Sequence, residues 1–168
     1  MMSIVVQIGG KSLKVERKTS IFQEGGARML YLGTYFHTRD AKGRVFVPAL
    51  FRESLGEEFI LFKSPDKCIW VYNYEEYQNI VNQVKQQSRT PEDRVKQRNF
   101  FLSSKTVSMD KQGRFTIPQD FASHASLGSE VVITGAANRL EIWNKDAYDA
   151  MVAASENLTA SDFPDAIY

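Results

Sequence analysis

The chain repeats itself, and that repeat limits what it can fold into more than any other feature. Asp40-Ala41-Lys42-Gly43-Arg44-Val45-Phe46-Val47-Pro48 returns as Asp110-Lys111-Gln112-Gly113-Arg114-Phe115-Thr116-Ile117-Pro118, an offset of 70 from Asp40 to Asp110. Aspartate, Gly-Arg and proline are identical, and Phe51 aligns with Phe121. Further on, Ile69-Trp70-Val71-Tyr72-Asn73 meets Leu140-Glu141-Ile142-Trp143-Asn144 at an offset of 71, and Tyr77 meets Tyr148. Apolar, turn and aromatic positions stay in phase throughout, so chance is a poor explanation.

Each copy reads as strand, tight turn, strand, short helix and two more strands. In Asp-x-x-Gly the aspartate can bond its own backbone, and glycine accepts positive φ without a Cβ clash. Val45 and Val47 alternate with Phe46 at strand period, as Phe115 and Ile117 do around Thr116. Pro48 and Pro118 end these strands and suit the first turn of a helix. Ile60-Leu61-Phe62 and Val131-Val132-Ile133 have the look of buried strands, followed by strands at Ile69 to Tyr72 and Leu140 to Trp143. Asn73 is a suitable N-cap with Glu76 three residues on, and Tyr77, Ile80, Val81 and Val84 give the helix after it an apolar face. Gln86-Gln87-Ser88 interrupts that pattern. A second helix restarts at Thr90-Pro91, carries Val95 and is expected to end near Leu102.

With 168 residues, 43% of them hydrophobic, the chain can bury a core as one domain or two small fused ones. Lys and Arg number 21 against 20 Asp and Glu, a net charge of +1. A nucleic-acid binder with that balance must gather its cations on one face or multiply them by oligomerisation. The single cysteine, Cys68, excludes an internal disulfide and any cysteine-based zinc site, and its apolar neighbours favour a buried hydrophobe. No apolar run approaches the roughly 20 residues needed to span a bilayer, and no cationic stretch precedes Ile4-Val5-Val6 as a signal peptide requires. A cytosolic protein is expected.

From Leu32 to about Tyr148 the sequence resembles the MraZ family, regulators at the head of bacterial division and cell-wall gene clusters. The resemblance rests on Gly33-Thr34-Tyr35-Phe36-His37-Thr38-Arg39-Asp40 running on through Arg44, on Asp110 to Arg114 with Ile117-Pro118, and on Asn138-Arg139-Leu140-Glu141-Ile142-Trp143. One Asp-x-x-Gly-Arg is weak evidence; two at this spacing, with the last strand, are strong. The resemblance implies an α+β, mainly β fold: an AbrB-like swapped-hairpin barrel formed by two internal repeats, with short helices between and after them. Its expected parts are an N-terminal extension over 1–29, a first SpoVT-AbrB-type repeat over 32–77, a helical connector over 78–103, a second repeat over 104–148 and a C-terminal tail over 149–168. For the extension an extra hairpin, a flexible tail and a start codon placed ahead of Met29 all stay open. From about Ala153 the chain is expected to fray.

The family's DNA-contacting arginines fall at Arg44 and Arg114. Lys42 and Lys111 share those turns and are expected to assist, with Gly43 and Gly113 bringing the backbone close to the duplex and Asp40 and Asp110 forming the turns. Arginine's planar fork matches phosphate oxygens or the O6/N7 edge of guanine. The resemblance further implies a homo-oligomeric ring on short direct repeats in promoter DNA, repression of its own operon and a nucleoid-associated location, with no cofactor. A ring would supply by avidity what a near-neutral subunit lacks. This chain departs from the family at Arg39, where an apolar or small residue is more frequent, and at Ala122, where an arginine is common and where Arg52 keeps it in the first repeat.

Other readings are weaker. His37 and His124 have no second histidine or cysteine at ligand spacing, so no metal is expected. Ser123, His124 and Asp120 lie on one short helix without a nucleophile elbow, which argues against an enzyme. Trp70 and Trp143 sit in apolar strands and suit a core or subunit interface better than base stacking. An oligomeric interaction protein that no longer binds DNA is the alternative function.

Overall fold

The computed structural model describes residues 4–8, 11–15, 30–87 and 89–155. Ile4–Ile8 (β1) and Lys11–Val15 (β2), on either side of Gly9-Gly10 in the sequence, pair antiparallel and, among the described residues, with no other strand. The proposed alternative start at Met29 and the tail beyond Ser155 lie outside the described residues.

The first repeat supplies β3 (Thr34–Thr38), β4 (Arg44–Phe46), α1 (Ala49–Leu55), β5 (Glu58–Lys63) and β6 (Ile69–Tyr72). Helices α2 (Tyr74–Gln87) and α3 (Pro91–Leu102) follow. The second repeat gives β7 (Ser104–Ser108), β8 (Arg114–Thr116), α4 (Gln119–His124), β9 (Glu130–Gly135), β10 (Leu140–Asn144) and α5 (Lys145–Ala154). Helical structure therefore continues through Ala154, past the expected start of a tail. Pro48 and Pro118 stand at the N-cap, one position before the first helical turn.

The fold is α+β, with strands dominant. Six strands form an antiparallel sheet in the order β3-β9-β10-β6-β5-β7, and β4 pairs with β8 in a separate ribbon. Exchanging the repeats maps the sheet onto itself: β3 onto β7, β9 onto β5, β10 onto β6. At its centre Trp70 stands opposite Glu141, its own counterpart at the offset of 71. The β4–β8 register is symmetric as well, with Arg44 opposite Thr116, Val45 opposite Phe115 and Phe46 opposite Arg114.

The core lies between sheet and ribbon. Val45, Val47, Phe115 and Ile117 point inward to meet Phe51 of α1, Phe121 of α4 and the inner faces of β5, β6, β9 and β10. Phe59 and Phe115, from different repeats, pack edge to face with centroids 4.9 Å apart. Phe51 and Phe121, which align between the repeats, are both buried. Removing either ring should cost about 3–5 kcal/mol, which makes the two small helices part of the core rather than surface decoration.

Capping also repeats. Asn73 accepts from the Glu76 amide at 2.8 Å and donates to the Ser54 carbonyl at 3.2 Å. Asn144 accepts from the Asp146 amide at 2.9 Å and donates to the Ser126 carbonyl at 2.7 Å. Tyr77 donates to Ser104 at 2.7 Å, and Tyr148 lies 3.0 Å from Thr34, so each helix is tied to the first strand of a repeat. Helix α3 opens with a capping box in which Thr90 and Asp93 bond each other's backbone. Its Phe100 packs on Phe62 and Tyr77, while Val95, Phe101 and Leu102 are exposed.

Candidate functional site

The ribbon places both Asp-x-x-Gly-Arg turns on one structural unit. Directly opposed residues of an antiparallel pair share a face. Arg44, Phe46, Arg114 and Thr116 therefore point outward together, while Val45 and Phe115 are buried. Arg44 and Arg114 are diagonal neighbours, with Cα atoms roughly 7–8 Å apart for such a pair. A turn flanks the ribbon at each end, and the ladder extends by one bond on each side: the Ile117 amide donates to Gly43 O and the Val47 amide to Gly113 O, both at 2.9 Å.

The aspartates organise the turns in the same way. Asp40 Oδ1 accepts from the Lys42 and Arg44 amides, each at 2.9 Å, and Asp110 Oδ1 from the Gln112 and Arg114 amides at the same distances. The second oxygen takes the arginine: Arg44 Nε and Nη2 each lie 2.7 Å from Asp40 Oδ2, and the Arg114 pair lies at 2.9 Å from Asp110 Oδ2. The Arg44 side-chain bond holds the Asp40 carboxyl below the usual carboxylate range; for Asp110 the Arg114 amide is the larger cause. Exposed ion pairs contribute little stability. What this geometry supplies is orientation: two guanidinium groups preset on one face. Gly43 and Gly113 adopt φ of +76° and +81°, a region costly to side chains. Lys42, Lys111 and Gln112 are exposed at the turn tips.

Sequence reasoning did not anticipate what covers the glycines. Arg52 reaches across from α1, donates from Nε to Val47 O at 2.9 Å and lies over Gly113. Arg39 lies over Gly43, with Nη2 3.1 Å from the position a Cβ would take there. Since each turn's aspartate answers its own arginine, the surplus positive charge comes from Lys42 and Arg39 at the first turn and Lys111 and Arg52 at the second. At nearby His37, burial, with the Arg52 charge second, lowers the imidazole pKa and disfavours its charged form.

The remaining candidates are committed elsewhere. Asp120 pairs with Lys63 at 2.7 Å and His124 Nε2 lies 2.7 Å from the Ser64 carbonyl, so Ser123, His124 and Asp120 assemble no triad. Among the described residues no cluster of His, Cys, Asp or Glu fits a metal ion, and no helix is long and apolar enough to cross a membrane. Cys68 is fully buried, and burial pushes its thiol up to about 12. Trp143 is buried and donates to Glu141, while the half-buried Trp70 ring carries the Arg139 guanidinium 4.3 Å from its centroid.

Comparison with known proteins also finds two successive matches to one family. Residues 30–99 and 100–164 each match the family described as "MraZ protein, putative antitoxin-like". Curated relatives include the transcriptional regulator MraZ of Acetivibrio thermocellus, 40% identical over 132 residues that cover 78% of this chain and 92% of the relative. The same regulator of Thermoanaerobacter sp. (strain X514) is 42% identical over 121 residues, covering 71% of this chain and 85% of the relative. That of Lachnoclostridium phytofermentans is 40% identical, covering 72% and 86%. These relatives are named transcriptional regulators, not enzymes.

Proposed function

The chain belongs to the MraZ family, and from that premise we propose that it is a transcriptional regulator that reads double-stranded promoter DNA through the β4–β8 ribbon. The observation that carries this reading is the pairing of the two turns on one outward face. There Arg44 and Arg114 are preset by Asp40 and Asp110. Lysines 42 and 111 contact phosphates, and the turn glycines let the backbone approach the duplex. Phosphate contacts fix register, and the arginine forks read base edges.

The interleaved sheet and ribbon support an AbrB-like swapped-hairpin barrel as the family architecture, with 32–77 and 104–148 as the repeats and 78–103 as the connector. In the fuller reading, subunits assemble into a ring, engage short direct repeats upstream of their own division and cell-wall cluster, repress it and reside with the nucleoid. One subunit offers few contacts and a net charge of only +1, so avidity across a ring accounts for tight binding.

The test is a titration of purified protein against its own upstream DNA and a scrambled duplex, at two salt concentrations, with Arg44→Ala alongside. Tight, salt-sensitive, sequence-selective binding that the variant loses supports the proposal. Indifference to both duplexes, from folded and oligomeric protein, refutes it in favour of an interaction module without DNA binding.

A further inference from the structure

We propose that Arg39 is a phosphate-contacting residue of the DNA-binding face, filling at the first turn the place that Arg52 fills at the second. The inference rests on the DNA-binding reading of the turns and adds to it a contact from a residue outside the Asp-x-x-Gly-Arg motif.

The two repeats have exchanged a pair of residues around their turns. At the second turn the guanidinium over Gly113 is Arg52, delivered by α1 of the opposite repeat, and the residue just before the turn is Met109, half-buried against the core. At the first turn the counterpart of Arg52 is Ala122, buried and too short to reach Gly43, while the counterpart of Met109 is Arg39. Arginine and apolar residue have changed places. Each glycine still carries one guanidinium, although the two come from different elements.

Filling space does not explain Arg39. An apolar side chain would cover Gly43 without desolvating a cation, and Arg39 Nε is buried with no hydrogen-bond partner. Among the described residues no carboxylate pairs with Arg39, because the adjacent Asp40 is occupied by Arg44. Its wall of the molecule is a shallow depression of about 380 Å³, formed with Asp40, Ala41, Gly43, Leu127, Gly128 and Ser129. A duplex phosphate approaching the first turn would meet this cation beside Lys42 and gain a charge-assisted partner that the free protein does not supply.

The salt dependence of binding separates a phosphate contact from a packing role. Each phosphate neutralised adds about 0.9 to the slope of log affinity against log salt. Arg39→Gln and Arg39→Met both keep the stem and remove the charge. They are titrated with wild type against upstream and scrambled duplex, with melting temperature recorded, and the slope is read on whichever variant melts as wild type does. The expected result is weaker binding to both duplexes and a slope lower by about 0.9 for each engaged copy of residue 39. Wild-type affinity and slope in a folded variant would overturn the inference and leave the turn reading intact. If wild type itself ignores DNA, the turn reading fails and the role of Arg39 fails with it.

Discussion

The glycines of the two turns look equivalent in sequence, but alanine should not cost the same at both. Each sits at positive φ, +76° at Gly43 and +81° at Gly113, so alanine at either position loses about 1–2 kcal/mol to backbone strain. The neighbours differ. At Gly43 the new methyl would stand 3.1 Å from Arg39 Nη2, the free end of a flexible side chain that moves readily. At Gly113 it would stand 2.2 Å from Arg52 Cζ, which is impossible without expelling that guanidinium and breaking its bond to Val47 O. A charged hydrogen bond is worth about 1.5–3 kcal/mol; because Arg52 is only half-buried, water recovers part of it and about 1 kcal/mol remains. Gly113→Ala should therefore melt lower than Gly43→Ala, by roughly 2–4 °C for a protein of this size. Thermal unfolding at one fixed protein concentration, necessary if the protein is oligomeric, reads the difference. In an Arg52→Ala background the extra cost should vanish, leaving Gly113→Ala with the strain share alone. Equal costs in the two turns, or a penalty at Gly113 that survives removal of Arg52, would refute the reasoning.

Three further outcomes are expected. Asp40 and Asp110 have pKa values below the ordinary carboxylate value. Their contribution to stability is therefore present above about pH 4 and lost as pH falls through the folded values; an Asp40→Asn/Asp110→Asn protein should show a shallower acid limb in its pH–stability curve, and an unchanged limb would contradict this. Cys68, with its thiol pushed up to about 12, should react with thiol reagents only on unfolding, and rapid labelling of native protein would contradict its burial. Thr90→Ala should remove about 1 kcal/mol from the start of α3, seen as faster hydrogen exchange at its first turns with the sheet unaltered; slow exchange there would show that the cap contributes little.

Much of this fold was legible because the repeat fixes local structure twice. The Asp-x-x-Gly turns, the alternation at Val45-Phe46-Val47 and the caps at Asn73 and Thr90 each depend on residues close in sequence, and each appears where the spacing places it. Strand partners depend on distant residues. Nothing local in β4 says that it pairs with β8, or that β5 is flanked by β6 and β7. Only the resemblance implied an exchange between repeats. The site divides along the same line. Arg44 and its clamp lie within one pentapeptide and could be read directly, whereas Arg52 meets Gly113 across a long sequence separation. Arg39 and Ala122 did stand out as departures from the family, and that was the available signal; seeing that one offsets the other required the interleaved geometry.

Site-directed cleavage tests most directly whether the turn face meets DNA. Since Cys68 is buried, a DNA-cleaving chelate can be attached to a single introduced cysteine: at the exposed turn positions Ala41 or Gln112, or at exposed Gln83 on α2, which packs on β5 and β6. With all three conjugates bound to upstream DNA, Ala41→Cys and Gln112→Cys should cut the duplex at the bound repeats, and Gln83→Cys should not. Cutting from Gln83 with the turn conjugates silent would contradict the account.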